Sequence, residues 1–180
     1  NGTLWAWGQN ANGQLGDDST TDKSSPVQIG TATWTSITAN SYHSMGIRSN
    51  GTLWCWGDNG YGQLGDGSTI DRNSPVQIGT DTWVSLSAGF FNSHGIRYDG
   101  RLYAWGKNLL GELGDNSNTN RSAPVLIGTS YWVKMASGNG HTIGLKATRK
   151  EICGTGYNAF GQIGYFGTTT NLNSFLCASL

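Results

Sequence analysis

The stretch Asn50–Thr69 reads NGTLWCWGDNGYGQLGDGST, and a nearly identical stretch, NGTLWAWGQNANGQLGDDST, occupies residues 1–20. A third copy, DGRLYAWGKNLLGELGDNSN, runs from Asp99 to Asn118, so successive copies begin 49 residues apart. A fourth, more divergent copy, EICGTGYNAFGQIG, runs from Glu151 to Gly164. Self-similarity at a fixed spacing identifies an array of structural repeats, in which terminal copies often diverge.

The composition excludes two classes of function. Eleven basic residues balance eleven acidic ones, and no stretch concentrates lysine or arginine, so the electrostatic footprint of a nucleic-acid-binding protein is missing. No apolar run reaches the roughly 18 residues of a membrane span. Eight tryptophans, seven tyrosines and five phenylalanines favour a folded, turn-rich protein over a disordered one.

The residue pattern within each repeat predicts strands and no helix. Apolar side chains alternate in short runs that end at Gly, Asn, Asp or Pro, and no window has a sustained period near 3.6. The dipeptides Asn50-Gly51 and Asp99-Gly100 separate two such runs, which indicates β-hairpins with type I′ turns. The fold class is therefore all-β.

The hairpins define a four-stranded unit that starts before the repeated phrase. In the best-defined unit the strands are WTSITA, SMGIRS, TLWCWG and SPVQIG. Four-stranded units of this length are typical of β-propeller blades. We expect one propeller segment of about three and a half blades: a half-blade at 1–30 and full blades at 34–79, 83–128 and 132–178. The half-blade lacks its first two strands, so we expect its edge to be open or completed from outside this sequence.

The phrase DGRLYAWGKNxxGELG, the proline that opens the last strand, and the motifs AGxxxHS and SGNGHT resemble the regulator of chromosome condensation repeat family. The form WGxNxxGQLGDGST is most similar to that of secreted bacterial members. The resemblance covers nearly the whole chain. It implies a propeller whose complete ring usually has seven blades, of which this chain supplies about half.

The resemblance implies several alternative functions. The nuclear member is a guanine nucleotide exchange factor for the GTPase Ran, which works with a full ring and an inserted wedge; no insertion separates the repeats here. The plant ultraviolet photoreceptor has Trp before Arg-His-Thr, where this chain has Tyr42-His43-Ser44, Phe91-Asn92-Ser93 and Gly140-His141-Thr142. A secreted member inhibits β-lactamases by presenting aromatic loop residues, which requires only a surface.

Loop aromatics are therefore the candidate contact residues for a protein partner. Tyr42, Phe90 and Phe91 lie beside the turn that carries the repeated histidine position. Tyr61 is a further candidate, although it aligns with Leu110 and Phe160 and could instead pack between blades.

The tryptophan pairs admit two interpretations. Trp5 and Trp7, like Trp54 and Trp56, are two residues apart and so share one strand face. Such a pair could form a sugar-stacking platform, but its repetition favours packing between blades. Trp34, Trp83 and Trp132 open the first strand of each blade, where we expect them to seal the seams.

Nothing in the sequence indicates catalysis, a cofactor or a metal. His43 and His141 share a position with Asn92, which cannot relay a proton near neutral pH. No nucleophile, base and orienting group occur as a set. Asp17, Asp66 and Asp115 stand in register in oxygen-rich loops that could hold calcium, but the usual ligand alternation is missing, and Asx-turns explain these loops more simply.

The three cysteines differ in context. Cys55 stands where the sister repeats have Ala6 and Ala104, which predicts a small buried thiol. Cys153 and Cys177 stand on neighbouring strands of the last copy, Cys177 in register with Ile29, Ile78 and Ile127. We expect a disulfide between them and hence an oxidising compartment, the alternative being two small apolar residues. Asn1, Asn50 and Asn120 begin possible N-glycosylation triplets.

The sequence thus predicts a non-enzymatic, extracellular propeller module that presents a surface to a protein partner. A second hypothesis is a subunit that assembles with further copies of itself through its open blade edge. A third is an exchange factor or secreted enzyme inhibitor, by analogy with the family.

Overall fold

A computed structural model describes residues 2–148, 151–164 and 169–179. No helix occurs in these ranges, and the all-β prediction is confirmed. The twelve strands are β1 (Trp5–Gly8), β2 (Lys23–Gln28), β3 (Trp34–Ala39), β4 (His43–Arg48), β5 (Thr52–Gly57), β6 (Arg72–Ala88), β7 (Asn92–Arg97), β8 (Arg101–Gly106), β9 (Arg121–Ser137), β10 (His141–Lys146), β11 (Glu151–Gly156) and β12 (Leu172–Ser179).

The strands form an antiparallel array in sequence order. β1 pairs with β2, and β3 to β12 follow one another in a single ten-stranded ladder. β6 and β9 each serve two consecutive units, since β6 pairs with β5 up to Thr82 and with β7 from Trp83 onwards. We call β3 to the first part of β6 blade 1, the next four-strand set blade 2, the set ending at β12 blade 3, and β1–β2 the half-blade.

The hairpins form where the sequence predicts them, but the turn type differs. Arg48 and Thr52 flank a three-residue loop, in which the Gly51 N–H donates to the Arg48 carbonyl oxygen at 2.8 Å. Gly51 has φ +83°, whereas the asparagine before it is not among the described residues with positive φ. This is a turn followed by one left-handed residue, so only the glycine requires the conformation that L side chains avoid.

Apolar clusters join each blade to the next. Met45 and Leu53 of blade 1 lie in one buried cluster with Trp83 and Trp105 of blade 2. A second cluster joins blade 2 to blade 3, and a third joins the half-blade to Trp34 and Trp56 of blade 1. Because every unit buries its apolar face only against a neighbour, the array depends on stacking for its stability.

The last blade replaces the repeated tryptophan with Thr155. Phe175 from β12 lies against Trp132, with ring centroids 4.8 Å apart. A Cβ on Gly114 would meet the Phe175 ring, just as a Cβ on Gly65 would meet Trp105. Phe175 therefore occupies the space that a tryptophan fills in the preceding blade.

The structure contains a disulfide between Cys153 and Cys177, and Cys55 is a buried free thiol. The predicted register was wrong by one residue. Cys153 pairs with Cys177 as Trp54 pairs with Gln77, so Cys177 takes the place of Gln77 rather than of Ile78. Cys177 follows Cys153 by 24 residues, whereas Gln77 follows its partner Trp54 by 23, so the last copy has one additional residue between its third and fourth strands.

The tryptophans of the half-blade are more exposed than the packing interpretation predicted. Trp56 and Trp105 are 3% and 0% exposed, but Trp7 is 60% exposed and Trp5 48%. The packing interpretation therefore holds for the inner blades and is wrong for Trp5 and Trp7. The described residues place no further strand against their face of β1.

Candidate protein-contact surface

Two kinds of loop carry the predicted contact residues at one end of the blades. Tyr42 lies between β3 and β4, and Phe90 and Phe91 lie at the equivalent place between β6 and β7. Tyr61 lies in the loop after β5. Since these loops recur in each blade, stacking the blades brings residues 49 apart in sequence into one row.

The four side chains form one continuous group, which we call the aromatic cluster. Tyr42 and Phe91 stack with centroids 5.5 Å apart and an angle of 6° between their planes. Phe90 meets Tyr42 at 5.3 Å and Phe91 at 4.6 Å, both edge to face. Tyr61 lies 5.0 Å from Phe91. Tyr42, Phe90 and Phe91 are half-buried, so they keep an accessible surface while supporting one another.

Backbone hydrogen bonds hold the cluster rigidly. The Asp58 N–H donates to the Tyr42 carbonyl oxygen at 2.8 Å, and the Lys107 N–H donates to that of Phe91 at 2.9 Å. The side-chain amide of Asn40 donates to the Ala88 carbonyl oxygen at 3.1 Å, which ties the two blades together beneath the cluster. The aromatic side chains therefore sit on a backbone whose conformation is determined before any partner arrives.

Charged groups border the cluster. The Lys107 ammonium lies 6.0 Å from the ring centroids of both Tyr61 and Phe91 and 3.7 Å from the buried carboxylate of Glu112. In the preceding blade the corresponding pair is Asp58 and Gln63, whose amide donates to the Asp58 carboxylate at 2.7 Å. Burial raises the pKa of Asp58, while the N–H of Gly60 acts in the opposite direction.

The same surface continues into blade 3 through residues that sequence reasoning did not select. Leu109 and Phe160 are 55% and 85% exposed, and Tyr157 lies 6.0 Å from Phe160. A Cβ on Gly140 would meet both Tyr157 and Leu110. The signal was present in the repeats, because Leu110 and Phe160 align with Tyr61 and Gly140 aligns with Tyr42.

The repeated histidine position is structural. His43 is fully buried, and its Nε2 lies 2.9 Å from the Ser93 hydroxyl, which donates to the Gln63 carbonyl oxygen at 2.7 Å. Burial lowers the pKa of His43 to about 4, so the ring is neutral at physiological pH. His94 is also fully buried and lies 2.9 Å from the Ser137 hydroxyl. Both rings bridge neighbouring blades.

The aspartate loops are organised by a buried asparagine. The Asn59 amide group donates to the Asp66 carboxylate and to the carbonyl oxygens of Ser68 and Ile70, each at 3.1 Å, while its oxygen accepts from the Leu64 N–H at 2.9 Å. Asp66 also accepts from Ser68 and pairs with Arg72 at 2.6 Å. Asn10 and Asn108 make the equivalent bonds in their loops. The carboxylate oxygens are thus engaged by protein donors, which favours the Asx-turn interpretation.

Two of the three predicted glycosylation residues lie within the described part of the chain. Asn50 is exposed at a hairpin tip, and the exposed Asn120 accepts from the Asn108 N–H at 2.9 Å. Asn1 lies outside the described residues, and glycosylation stays a prediction. Glu151, Cys153 and Cys177 are the one group of described residues that brings three potential metal ligands together, but its two sulfur atoms form the disulfide.

Comparison with protein families identifies the repeats. The regulator of chromosome condensation (RCC1) repeat matches residues 1–47, 50–92 and 99–145, and a second description of the same repeat matches 34–63 and 83–112. The chain belongs to the RCC1 repeat family. No curated protein sequence matches the chain. The predicted family is therefore confirmed from the repeats themselves.

Solved structures of propeller proteins share the fold. Human WBSCR16 superimposes with a TM-score of 0.87 and 20% identity over 99% of this chain and 49% of its own. Yeast RCC1 (Prp20) bound to Kap60 superimposes with a TM-score of 0.82 and 20% identity over 96% of this chain and 44% of its own. Prp20p from Saccharomyces cerevisiae superimposes with a TM-score of 0.81 and 20% identity over 97% of this chain and 46% of its own. The chain thus spans about half the length of these propellers, which confirms a propeller segment.

No helix within the described residues is long and apolar enough to cross a membrane.

Proposed function

We propose that this RCC1-repeat segment is a non-enzymatic protein-interaction module whose contact surface is the aromatic cluster. The single observation that carries the proposal is the pre-formed group of Tyr42, Phe90, Phe91 and Tyr61 on hydrogen-bonded loops of two adjacent blades. Rigid aromatic side chains supply large contact area at a low cost in conformational entropy, and they are enriched among the residues that dominate protein interfaces.

The chemistry of the remaining candidates supports binding over catalysis. The buried histidines are neutral and bonded to hydroxyl groups between blades, and the loop aspartates are paired with cations or amides. None of these groups is poised beside a nucleophile in a cleft, as an active site requires. The yeast relative Prp20p is described by its binding to Gsp1p and histones, which provides two protein probes.

An extracellular location is part of the proposal. The Cys153–Cys177 disulfide closes the last two strands of the array, and structural disulfides persist in oxidising compartments. The exposed triplets at Asn50 and Asn120 would be accessible to glycosylation in a secretory pathway.

The test compares the native chain with a triple variant, Tyr42→Ser, Phe90→Ser and Phe91→Ser. Both proteins are immobilised and exposed to extracellular proteins from the source and, separately, to purified Gsp1p and histones. We expect captured proteins to be lost from the triple variant, and dissociation constants for each captured protein to rise at least 100-fold.

A matched control carries Tyr98→Ser and Tyr131→Ser, which are 81% and 47% exposed. Tyr98 directly follows β7, and Tyr131 pairs with Arg101 at the start of β8, so both lie at the opposite end of the blade from the cluster. The control should bind as the native chain does. Both variants should keep the native circular dichroism spectrum. Equal binding by the native chain and a folded triple variant would remove the cluster from the contact surface.

A further inference from the structure

The half-blade leaves a groove beside the free edge of β1. Leu4, Ala6 and Trp7 form one side, and Ile37, Ala39 and Ser44 of blade 1 form the other; we call this the β1 groove. Among the described strands β1 pairs only with β2, so its second edge is unpaired. In blade 1 the equivalent edge, that of β5, pairs with β4 from His43 to Ile47.

Two repeat positions show that the β1 groove matches an occupied site elsewhere in the chain. Ile37 is 59% exposed, but its counterparts Leu86 and Met135 are half-buried and buried. Ala39 is exposed, whereas Ala88 is 7% exposed. In the following blades these positions pack with the second strand of the preceding blade: Met45 lies in one buried cluster with Ala88, and Ile96 lies in another with Met135.

Among the described residues no arginine lies over the Trp5 ring, in contrast to the rings of its counterparts Trp54 and Tyr103. The Arg48 guanidinium lies 3.4 Å from the ring centroid of Trp54, and that of Arg97 lies 3.8 Å from the Tyr103 ring. Both arginines come from the second strand of the same blade. Transferring the β4–β5 register to β1 places the equivalent of Gly46 opposite Trp5, with its arginine two residues further on, over the indole face.

We propose that the β1 groove is a docking site for a β-hairpin with the sequence features of residues 34–48: a histidine opposite Gly8, an apolar side chain opposite Ala6, and an arginine over Trp5. The occupant completes the half-blade by strand addition, in which backbone hydrogen bonds provide affinity and side-chain pockets provide specificity.

Two groups of blade 1 determine that specificity. Ser44 donates its hydroxyl hydrogen to the Gln14 carbonyl oxygen at 2.8 Å, just as Ser93 donates to Gln63 at 2.7 Å. The Ser93 oxygen lies 2.9 Å from Nε2 of His43 and, having donated its own hydrogen, accepts from it. Ser44 is therefore an equivalent acceptor for a histidine on the docked hairpin.

The second group is Ala39, which selects the side chain opposite Ala6. Met45 of β4 lies in the same buried cluster as Ala88, the counterpart of Ala39. One blade further on, the position of Met45 is taken by His94, which needs the Ser137 hydroxyl at 2.9 Å. Because Ala39 offers no hydroxyl, the groove favours the 34–48 pattern and disfavours the pattern of residues 92–94, which would bury an unsatisfied imidazole.

The test uses two synthetic peptides and the native 180-residue chain. One peptide has the sequence of residues 34–49; its matched control has the changes His43→Asn and Met45→His, which reproduce the sister blade. We expect titration calorimetry to give at least tenfold tighter binding for the first peptide. Hydrogen exchange should show new protection of the Leu4 to Trp7 amides.

A variant of the 180-residue chain distinguishes recognition of the peptide histidine from nonspecific binding. Ser44→Ala should weaken the first peptide but leave the affinity of a peptide with His43→Ala unchanged. Equal affinities of the two original peptides, or no protection of β1, would overturn the proposal. Sedimentation of the chain alone provides a further test: an oligomer that the peptide does not dissociate would mean that a second copy fills the groove.

Because isolated hairpins are only marginally stable in water, a fusion gives a second measurement. Asn1-Gly2-Thr3 matches Asn50-Gly51-Thr52, so residues 34–49 can be placed directly before Asn1 without a linker. We expect this fusion to melt at a higher temperature than the fusion carrying the two control changes. Equal melting temperatures would contradict the proposed specificity.

Discussion

The indole N–H of Trp105 donates to the backbone carbonyl oxygen of Gln63 at 2.9 Å, from one blade to the one before it. Trp56 donates in the same way to Gln14 at 2.9 Å. Each of these tryptophans thus fills the seam between two units and satisfies a buried carbonyl group. The repeated tryptophan therefore links neighbouring blades, and its contribution to stability depends on the presence of a preceding blade.

Replacing Trp105 by alanine should lower the free energy of unfolding by about 3–5 kcal/mol, since it removes a fully buried indole and its hydrogen bond. Trp7→Ala is the matched control at the same repeat position, and its 60% exposure predicts a loss of less than about 1 kcal/mol. Urea denaturation followed by circular dichroism measures both. Similar losses for the two variants would show that Trp7 is covered in solution.

Asn59→Ala should destabilise the chain by about 2–4 kcal/mol. The buried amide satisfies the Leu64 N–H and two loop carbonyl groups, so its removal leaves several buried groups without partners. Asn50→Ala, on an exposed turn, should cost under about 1 kcal/mol. Thermal unfolding of both variants tests this difference, and a mild effect of Asn59→Ala would argue against the organising role of the asparagine.

Reduction of the Cys153–Cys177 disulfide should lower stability by about 3 kcal/mol, because the bond closes a loop with a sequence separation of 24. The measurement is the melting temperature with and without dithiothreitol. A Cys153→Ala, Cys177→Ala variant should melt like the reduced chain and no longer respond to the reductant.

Cys55 is buried, and burial raises the pKa of its thiol, so it should react with thiol reagents only after unfolding.

Stability should fall as the pH drops from about 6.5 towards 4. Burial lowers the pKa of His43 to about 4 and that of His94 to about 3, the latter only partly offset by the Glu112 carbonyl group. The unfolded chain, with an ordinary histidine pKa of about 6.5, therefore binds protons first in this window and gains free energy relative to the folded chain. The histidine contribution is fully present above pH 6.5.

Urea midpoints between pH 4 and 8 test this dependence. His43→Asn introduces the residue found at the sister position and removes one of the two groups, so its stability should change less over the window. Each pKa unit by which the folded-state value lies below the unfolded-state value contributes about 1.4 kcal/mol to the free energy of unfolding. A native chain whose stability is constant from pH 7 to 4.5 would show that the pKa values of both rings are the same in the folded and unfolded chains.

The aromatic cluster shows which features of the candidate site can be predicted from the sequence. Tyr42, Phe90 and Phe91 could be selected because the register of the repeats places them at one kind of turn. Their mutual stacking could not be predicted, because it depends on the angle and distance between two blades. Phe160 is a repeat counterpart of Tyr61, yet it is 85% exposed. Tyr61 lies against Phe91 of the following blade, whereas the described residues include no blade after blade 3 that could place a ring against Phe160.

The sequence by itself determined the repeat, the all-β class, the order of the strands and the pairing of the two cysteines. These follow from local alternation and from a spacing of 49 residues between the first three copies and 50 residues to the fourth. Only the tertiary structure decided the register of β12 against β11, the neutral buried histidines between blades and the contrast between Trp7 and Trp105. Those features depend on what the neighbouring blade places beside each residue. In a stacked array, equivalent repeat positions have different environments according to whether a neighbouring blade packs against them.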